Sequence, residues 1–198
     1  MPRPIPKATK SFKSADALGA WLQKNHASES ELWVKVFKKA SRIPSVTWNE
    51  IVTVSLCWGW IDGIKKSLGK EAYLQRISPR TTRSRWSKRN TEQVEQLIKS
   101  GRMQEPGMAQ VRAARQDGRW DAAYAPSSET EVPDDFLVAL KRHPKAQRFF
   151  GTLGRSPRYV IAYGLSTAKR PDTRQRRFDN FIGMLNREEQ PDFFRKKT

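Results

Sequence analysis

The sequence predicts an α+β fold, in which a small antiparallel sheet with helices is followed by a C-terminal helical subdomain. Residues 31–39 alternate between aliphatic and polar or aromatic side chains, which is the period-two pattern of a strand. Thr47 and Glu50 have the spacing of a capping box, so a helix should begin at Trp48. Three later prolines suit the first position of a helix, where a missing N–H costs nothing. They are Pro133, Pro144 and Pro157.

These patterns divide the chain into four parts. Residues 1–11, with prolines and scattered lysines, should be a disordered tail. Residues 12–124 should form the α+β domain, and the polar, proline-containing residues 125–132 should form a linker. Residues 133–190 should then form the helical subdomain.

The first predicted helix covers about residues 15–25. Ser14 is a suitable N-terminal cap for it, and three bulky side chains share the face that should be buried. They are Leu18, Trp21 and Leu22. In the strand that follows, the aliphatic side chains should face the core and the alternate ones should form a polar, aromatic outer face. That outer face would carry Trp33, Lys35 and Phe37.

The helix that begins at Trp48 should run to about Trp58 and be buried, because it is apolar nearly all round, and Gly59 should end it. Two strands are predicted at residues 60–64 and 73–77, joined by a turn-rich loop. Asn90 or Thr91 should cap the next helix. The remaining predicted helices cover about residues 90–100, 108–117, 133–142, 144–151, 157–167 and 171–187.

Charge is the most pronounced global property of the chain. Lys and Arg total 38 against 20 acidic residues, which gives a formal net charge of +18. Such an excess favours polyanionic partners such as nucleic acid, anionic lipid or acidic proteins, although solvated surface charge is an equally good explanation. Residues 91–135 are acidic overall, whereas the chain before them and after them is basic.

The single cysteine, Cys57, has no internal disulfide partner, so we expect a reducing, cytoplasmic location. It lies in an apolar run and should be buried and unreactive. The N-terminal residues lack the apolar region of a signal peptide, and no stretch approaches the roughly 18 apolar residues of a membrane span. We therefore expect neither.

The segment 58–63 places Asp62 between two glycines and among aromatic side chains. Asp62 could bind a cationic group or act as a base in an aromatic pocket. That pocket would contain Trp58, Trp60, Tyr73 and Arg76. The alternative is that Asp62 caps a turn or pairs with a nearby arginine.

Between Ile64 and Arg89 the sequence has nine basic groups and only Glu71 to offset them. Guanidinium groups, hydroxyls and a helix N-terminus suit phosphate or carboxylate, and an interleaved tryptophan suits single-stranded nucleic acid. We expect these side chains to line one continuous surface near Asp62. They are Arg76, Arg80, Arg83, Arg85, Trp86, Lys88 and Arg89. The alternative is a solvated loop whose arginines pair with the acids of residues 91–135.

A secondary basic patch is predicted around the start of the last helix. It would consist of Lys169, Arg170, Arg174 and Arg177. Cations at a helix N-terminus oppose the helix dipole, so either an acidic neighbour or a bound anion should compensate them. The alternative is a helix face on which Arg174 or Arg177 has a structural partner.

Motifs of common enzymes are missing from the sequence. It contains no P-loop and no GxGxxG, GxSxG, HExxH or CxxC pattern. His26 and His143 suit helix ends and lie far from Cys57 in sequence, so a zinc site is not expected. We therefore assign no catalytic residue, no metal and no cofactor.

Several longer motifs occur together and in order. They are LCWGWIDG at residues 56–63, YLQR at 73–76, DGRWDAAY at 117–124 and AKRP at 168–171. Together with shorter matches they resemble the YdeI/OmpD-associated, bacteriocin-protection family over about residues 11–190. Trp58 stands where the family pattern has Phe. The C-terminal module is also similar to one in DUF1801-type proteins.

This resemblance implies a bacterial protein associated with stress and with resistance to bacteriocins or cationic antimicrobial peptides, and it supplies no catalytic residues. Combined with the basic clusters, it predicts a non-enzymatic protein that binds an anionic partner through an Arg-rich aromatic surface. The alternative is a small-molecule-binding protein or an enzyme that uses the aromatic pocket around Asp62.

Overall fold

A computed structural model describes residue 6, residues 8–125 and residues 131–192. It confirms the α+β class, with one four-stranded sheet and eight α-helices in the described part of the chain. The chain divides into two compact units, Met1–Ala123 and Tyr124–Thr198. The predicted tail falls partly on residues 1–5 and 7, and the predicted linker mostly on residues 126–130, all outside the described residues.

The first unit contains the sheet and four helices. Its elements are β1 (Thr9–Ser11), α1 (Ala15–Asn25), β2 (Leu32–Phe37), α2 (Trp48–Cys57), β3 (Trp60–Ser67), β4 (Ala72–Pro79), α3 (Lys88–Lys99) and α4 (Glu105–Gln116). The second unit contains four helices in its described residues. They are α5 (Asp134–Leu140), α6 (Pro144–Thr152), α7 (Arg155–Ser166) and α8 (Pro171–Asn186).

The sheet has the order β1-β2-β4-β3, and its β2–β4 and β4–β3 pairs are antiparallel as predicted. The strand β1 pairs with β2 in parallel, so the expectation of a disordered tail is wrong for Thr9–Ser11. The N–H of Trp33 donates to the carbonyl of Ala8 at 2.9 Å and anchors this pairing. Because β1 has only three residues, its sequence shows no recognisable strand pattern, and the strand is evident only from its pairing with β2.

The strands β3 and β4 are longer than predicted and leave only a short turn between them. The register between them shifts between Asp62 and Lys65, which marks a β-bulge. Gln75 is only 2% exposed, and its Nε2 donates to the carbonyl of Gly63 at 2.9 Å. The buried amide therefore satisfies a backbone group that the bulge leaves without its ladder partner.

One face of the sheet packs against α1 and α2. The shared core consists of Leu18, Leu22, Leu32, Val34, Val36, Ile51, Val54 and Ile77, with further buried neighbours. Trp33, which we expected on a polar outer face, is only 5% exposed. The ammonium of Lys66 lies 4.3 Å from the centre of its ring, and its Nε1 donates to Glu31 at 3.2 Å. The outer face is therefore aromatic beneath a layer of charged side chains.

Helix starts follow local hydrogen bonding. The predicted capping box of Thr47 and Glu50 is present in both directions. The helix α3 begins earlier than predicted, because the hydroxyl of Ser87 accepts from the N–H of Asn90 at 3.2 Å. Asn90 and Thr91 therefore lie inside the helix, and the expectation that either one caps it is wrong.

The helices α2 and α4 meet backbone to backbone. Gly59 follows α2 with a φ of +72°, and a Cβ added there would lie 2.7 Å from the carbonyl oxygen of Pro106. The N–H of Gln104 donates to the carbonyl of Cys57 at 3.1 Å. This contact fixes the start of α4 at Glu105, three residues before the predicted start.

The second unit has its own core, built from all four of its helices. Its buried residues include Phe136, Leu140, Ala146, Ile161, Leu165, Ile182 and Leu185. Pro144 begins α6 as predicted, whereas Pro133 precedes α5 and Pro157 is the third residue of α7. Within the residues that the structure describes, no helix combines the length and the apolar character needed to cross a membrane.

Candidate functional site

The aromatic side chains of the predicted pocket each contact different neighbours. Trp60 is 1% exposed in the core, and Trp58 packs against the ring of His26 with centroids 4.9 Å apart. The ammonium of Lys65 lies 3.9 Å from the centre of the Tyr73 ring. These three aromatic side chains therefore have neighbours of their own.

Asp62 and Arg76 lie on opposite faces of the sheet. Asp62 is in register with Ile77, the neighbour of Arg76 on β4, and successive residues of a strand point to opposite faces. The guanidinium of Arg76 pairs with Glu31 at 2.7 Å. This hydrogen bond is the main reason that the pKa of Glu31 lies below its usual value. Asp62 instead accepts a hydrogen bond from Trp48.

Two members of the predicted basic surface are buried. Arg80 is 4% exposed and Trp86 is 2% exposed, so the expectation that they line an open surface is wrong. The guanidinium carbon of Arg80 lies 3.6 Å from the centre of the Trp86 ring, whose other neighbour is Trp120 with centroids 5.0 Å apart. Arg80 also donates from Nη1 to the carbonyl of Arg85 at 3.2 Å. A planar guanidinium can be buried in this way because its face stacks and its edge donates.

Arg119 braces the loop between β4 and α3. Its Nη1 donates to the carbonyl of Thr81 at 3.3 Å and to that of Ser84 at 3.2 Å. Its Nε pairs with Asp117 at 2.7 Å, and its side chain is only 15% exposed. Arg119 lies in the DGRWDAAY motif, but nothing in the spacing of that motif predicts this role. The backbone of this basic loop is consequently fixed.

Four cations remain exposed on this fixed loop and on the first turn of α3. They are Arg83, Arg85, Lys88 and Arg89. Arg89 reaches back to α2, where its Nη2 donates to Asn49 Oδ1 at 3.0 Å. The beginnings of α2 and α3 therefore lie side by side.

Trp48 is the exposed aromatic residue of this region, and it was not among the predicted site residues. It is 37% exposed, and the guanidinium carbon of Arg89 lies 5.0 Å from the centre of its ring. Its Nε1 donates to Asp62 Oδ2 at 3.2 Å. The only signal in the sequence is a large aromatic residue at the first position of an otherwise buried helix. We call the four exposed cations together with Trp48 the cationic surface.

Residues 91–135, which are acidic overall, contain ion pairs within their own stretch. Three of the acids form ion pairs with arginines of the same stretch. The pairs are Glu95–Arg115, Glu105–Arg112 and Asp117–Arg119. Glu95 and Glu105 are therefore paired with arginines of their own stretch, as the ion pairs show, and not with the preceding basic segment.

The secondary basic patch is partly structural. Arg174 pairs with Asp135 at 2.8 Å, and Arg177 donates from Nη1 to the carbonyl of Gly164 at 2.7 Å. Arg170 lies 3.6 Å from Asp172, and Lys169 is exposed. The alternative of structural pairing therefore holds for Arg174 and Arg177.

The cysteine and the possible metal ligands can be followed within the described residues. Cys57 is buried, and burial raises the pKa of its thiol above the ordinary value. Among the described residues there is no group of three or more His, Cys, Asp or Glu side chains that could hold a metal ion.

Two family models match the chain. Residues 10–110 match the family described as "Domain of unknown function (DUF8412)". Residues 129–188 match the family described as "Bacteriocin-protection, YdeI or OmpD-Associated", which confirms the resemblance for the C-terminal part. No curated protein and no solved structure matches the chain.

Proposed function

Because residues 10–110 are about half of its length, the chain belongs to the DUF8412 family, and we propose that it binds an anionic partner through the cationic surface. The module at residues 129–188 associates the chain with bacteriocin protection. Binding rather than catalysis would be its contribution to that role. The observation that carries the proposal is a set of four exposed cations, two on the loop that Arg119 contacts and two on the first turn of α3, beside the start of α2.

Electrostatics at this position favour an anion. The first turn of α3 contains no acidic residue, so its free N–H groups add to the field of Lys88 and Arg89. Arginine forks suit the planar oxygen arrangement of phosphate and carboxylate groups. The net charge of +18 would also steer a polyanion towards the protein over long distances.

Rigidity of the loop supports the same proposal. The contacts of Arg119 with the carbonyls of Thr81 and Ser84 hold the backbone that carries Arg83 and Arg85. A surface whose backbone is already fixed loses less conformational entropy on binding. A reducing location such as the cytoplasm belongs to the proposal, since Cys57 is free and buried.

The test is a titration with a labelled DNA oligonucleotide at two salt concentrations. Replacing Arg83, Arg85 and Lys88 by Ala should weaken binding and reduce its salt dependence, by about 0.7–0.9 log units per log salt for each lost phosphate contact. Arg80 is not included, because it is buried and its loss would disturb folding. The free energy of unfolding should change by no more than about 0.5 kcal/mol.

A matched control removes the same charge elsewhere in the first unit. Lys13, Lys24 and Lys99 are exposed; Lys13 precedes α1, Lys24 lies near the end of α1, and Lys99 is the last residue of α3, at the opposite end from Lys88. Their replacement by Ala should leave most of the affinity. Equal losses in both triple variants would mean that only the net charge matters, and unchanged binding in the first variant would refute the proposed surface.

A further inference from the structure

The indole of Trp48 differs from the other tryptophans of the sheet and its surroundings. Trp33, Trp60 and Trp86 are buried, and Trp21, Trp58 and Trp120 are half-buried, whereas Trp48 is 37% exposed. A single exposed apolar side chain is common and needs no function. What sets Trp48 apart is that its ring is exposed and also held in place.

Two polar contacts orient this ring. Its Nε1 donates to Asp62 on β3, and the guanidinium of Arg89 on α3 lies over its face. Arg89 is itself fixed by its bond to Asn49. The indole is thus held between two elements, and because Arg89 lies over one face, a planar group would stack on the opposite face of an oriented ring.

Cations lie on both elements that hold the ring. Lys88 and Arg89 are exposed on α3, and Lys65 is exposed on β3. On β4, Lys65 is in register with Gln75, and Asp62 is in register with Ile77. Gln75 and Ile77 are two residues apart and therefore point to the same face of the sheet. Lys65 and Asp62 consequently share that face. Arg89 therefore lies directly beside the oriented ring, and Lys88 and Lys65 are further exposed cations on the same two elements.

We infer that Trp48 stacks on a nucleobase and that the anionic partner is single-stranded nucleic acid. This inference rests on the proposed function, because it names the partner of the same cationic surface. A ring flanked by cations is the arrangement with which proteins bind single strands, the cations contacting phosphates and the ring a base. In a duplex the base faces are already stacked on each other, so Trp48 could contribute little there.

The experiment compares three probes of equal phosphate number: an oligothymidine, a DNA duplex and inorganic polyphosphate. Binding of the full chain is measured by competition at one salt concentration. Trp48→Ala should weaken oligothymidine binding by roughly 5- to 150-fold, which corresponds to the usual stacking contribution of one base. Affinity for the duplex and for polyphosphate should change by less than about twofold.

Further variants separate stacking from bulk and from folding. Trp48→Phe keeps an aromatic ring and should retain much of the oligothymidine affinity, whereas Trp48→Leu keeps apolar bulk and should lose it as Trp48→Ala does. Ile43→Ala is the control, because Ile43 is an exposed apolar residue of the same unit, at 47%. It should leave all three affinities unchanged.

The outcomes distinguish this inference from the proposed function. If Trp48→Ala weakens all three probes equally, or none of them, base stacking is refuted while the cationic surface stands. If Trp48→Leu binds oligothymidine as well as Trp48→Phe does, the ring is not the relevant property and the inference also fails. If the unaltered chain binds none of the three probes, the proposed function itself is wrong.

Discussion

Gly107 of α4 lies directly against the carbonyl oxygen of Cys57 at the end of α2. A Cβ added at Gly107 would stand 2.7 Å from the carbonyl oxygen of Leu56 and closer still to that of Cys57. Both obstacles are backbone atoms, so neither can rotate away. The approach of α2 and α4 therefore requires glycine at this position.

Gly107→Ala should destabilise the first unit by about 1–3 kcal/mol, the usual cost of overpacking a filled site. Gly151→Ala is the matched control, because Gly151 is also helical and a Cβ there would meet nothing within 4 Å. That control should be neutral or more stable by up to about 1 kcal/mol, since alanine is the better helix former. Urea unfolding measures both, and equal effects would contradict the tight α2–α4 contact.

The capping box at the start of α2 should make stability depend on pH. Hydrogen bonds from the backbone and hydroxyl of Thr47 hold the pKa of Glu50 below its usual value. A carboxyl whose folded pKa is depressed stabilises the fold above its unfolded pKa of about 4.3, and this contribution is lost as the pH falls through the folded pKa. Glu50→Gln should therefore be less stable than the unaltered chain at neutral pH.

The difference between these two proteins should shrink as the pH falls below the unfolded-state pKa of about 4.3 and through the lower pKa of the folded Glu50. Denaturant unfolding at a series of pH values measures it. A difference that stays constant from neutral to acidic pH would show that the charge of Glu50 does not contribute. Thr47→Ala should cost about 1 kcal/mol at neutral pH, as the loss of a helix cap usually does.

The brace formed by Arg119 should be detectable in the dynamics of the loop. Arg119→Lys keeps the charge but cannot donate to Thr81, Ser84 and Asp117 in the same fork geometry. The N–H of Ser84, which donates to the carbonyl of Thr81 at 2.9 Å, should then exchange with solvent faster. Hydrogen exchange of this amide is the measurement, and unchanged protection would show that the loop holds its shape without Arg119.

The carboxylate of Asp62 is a negative charge beside the cationic surface. Asp62→Asn keeps an oxygen that can accept from Trp48 Nε1 and removes that charge. Affinity for a DNA oligonucleotide should rise by roughly two- to fivefold at low ionic strength and by less at high ionic strength, because salt screens the repulsion. Weaker binding in Asp62→Asn would instead indicate that Asp62 contacts the partner itself.

The thiol of Cys57 should be unreactive in the folded protein. It is only 6% exposed, and burial raises the pKa of the thiol, which lowers the fraction of reactive thiolate. A disulfide reagent should label the native chain far more slowly than the same chain in urea. Labelling at the rate of a free thiol under native conditions would contradict the burial of Cys57.

Local chemistry in the sequence predicted the helices, the inner strands and the capping box. Hydrogen bonds such as that between Thr47 and Glu50 join residues three apart and can be recognised from spacing alone. The short strand β1 could not be recognised in this way, because it exists only through its pairing with β2. The period-two pattern at residues 31–39 also predicted correctly which side chains of β2 share a face of the sheet. It did not predict that Trp33 on the outer face is buried.

Exposure explains the errors at the candidate site as well. The side chains of a basic segment are expected to be exposed to solvent, yet Arg80 and Trp86 stack on each other in the interior. Conversely, Trp48 begins an apolar helix but is exposed. Which side chains of a segment reach the surface is decided by elements that are distant in sequence, here Trp120 and Asp62. Composition and spacing do not contain that information.

The bulge between Asp62 and Lys65 has a consequence for how the protein behaves at high concentration. Among the described strands β3 is the last of the sheet, and the outer edge of such a strand can template the addition of a second extended chain. Here the irregular register interrupts the row of backbone donors and acceptors with which an added chain would have to pair. Straightening the edge, for example by deleting Ile64, should therefore promote self-association.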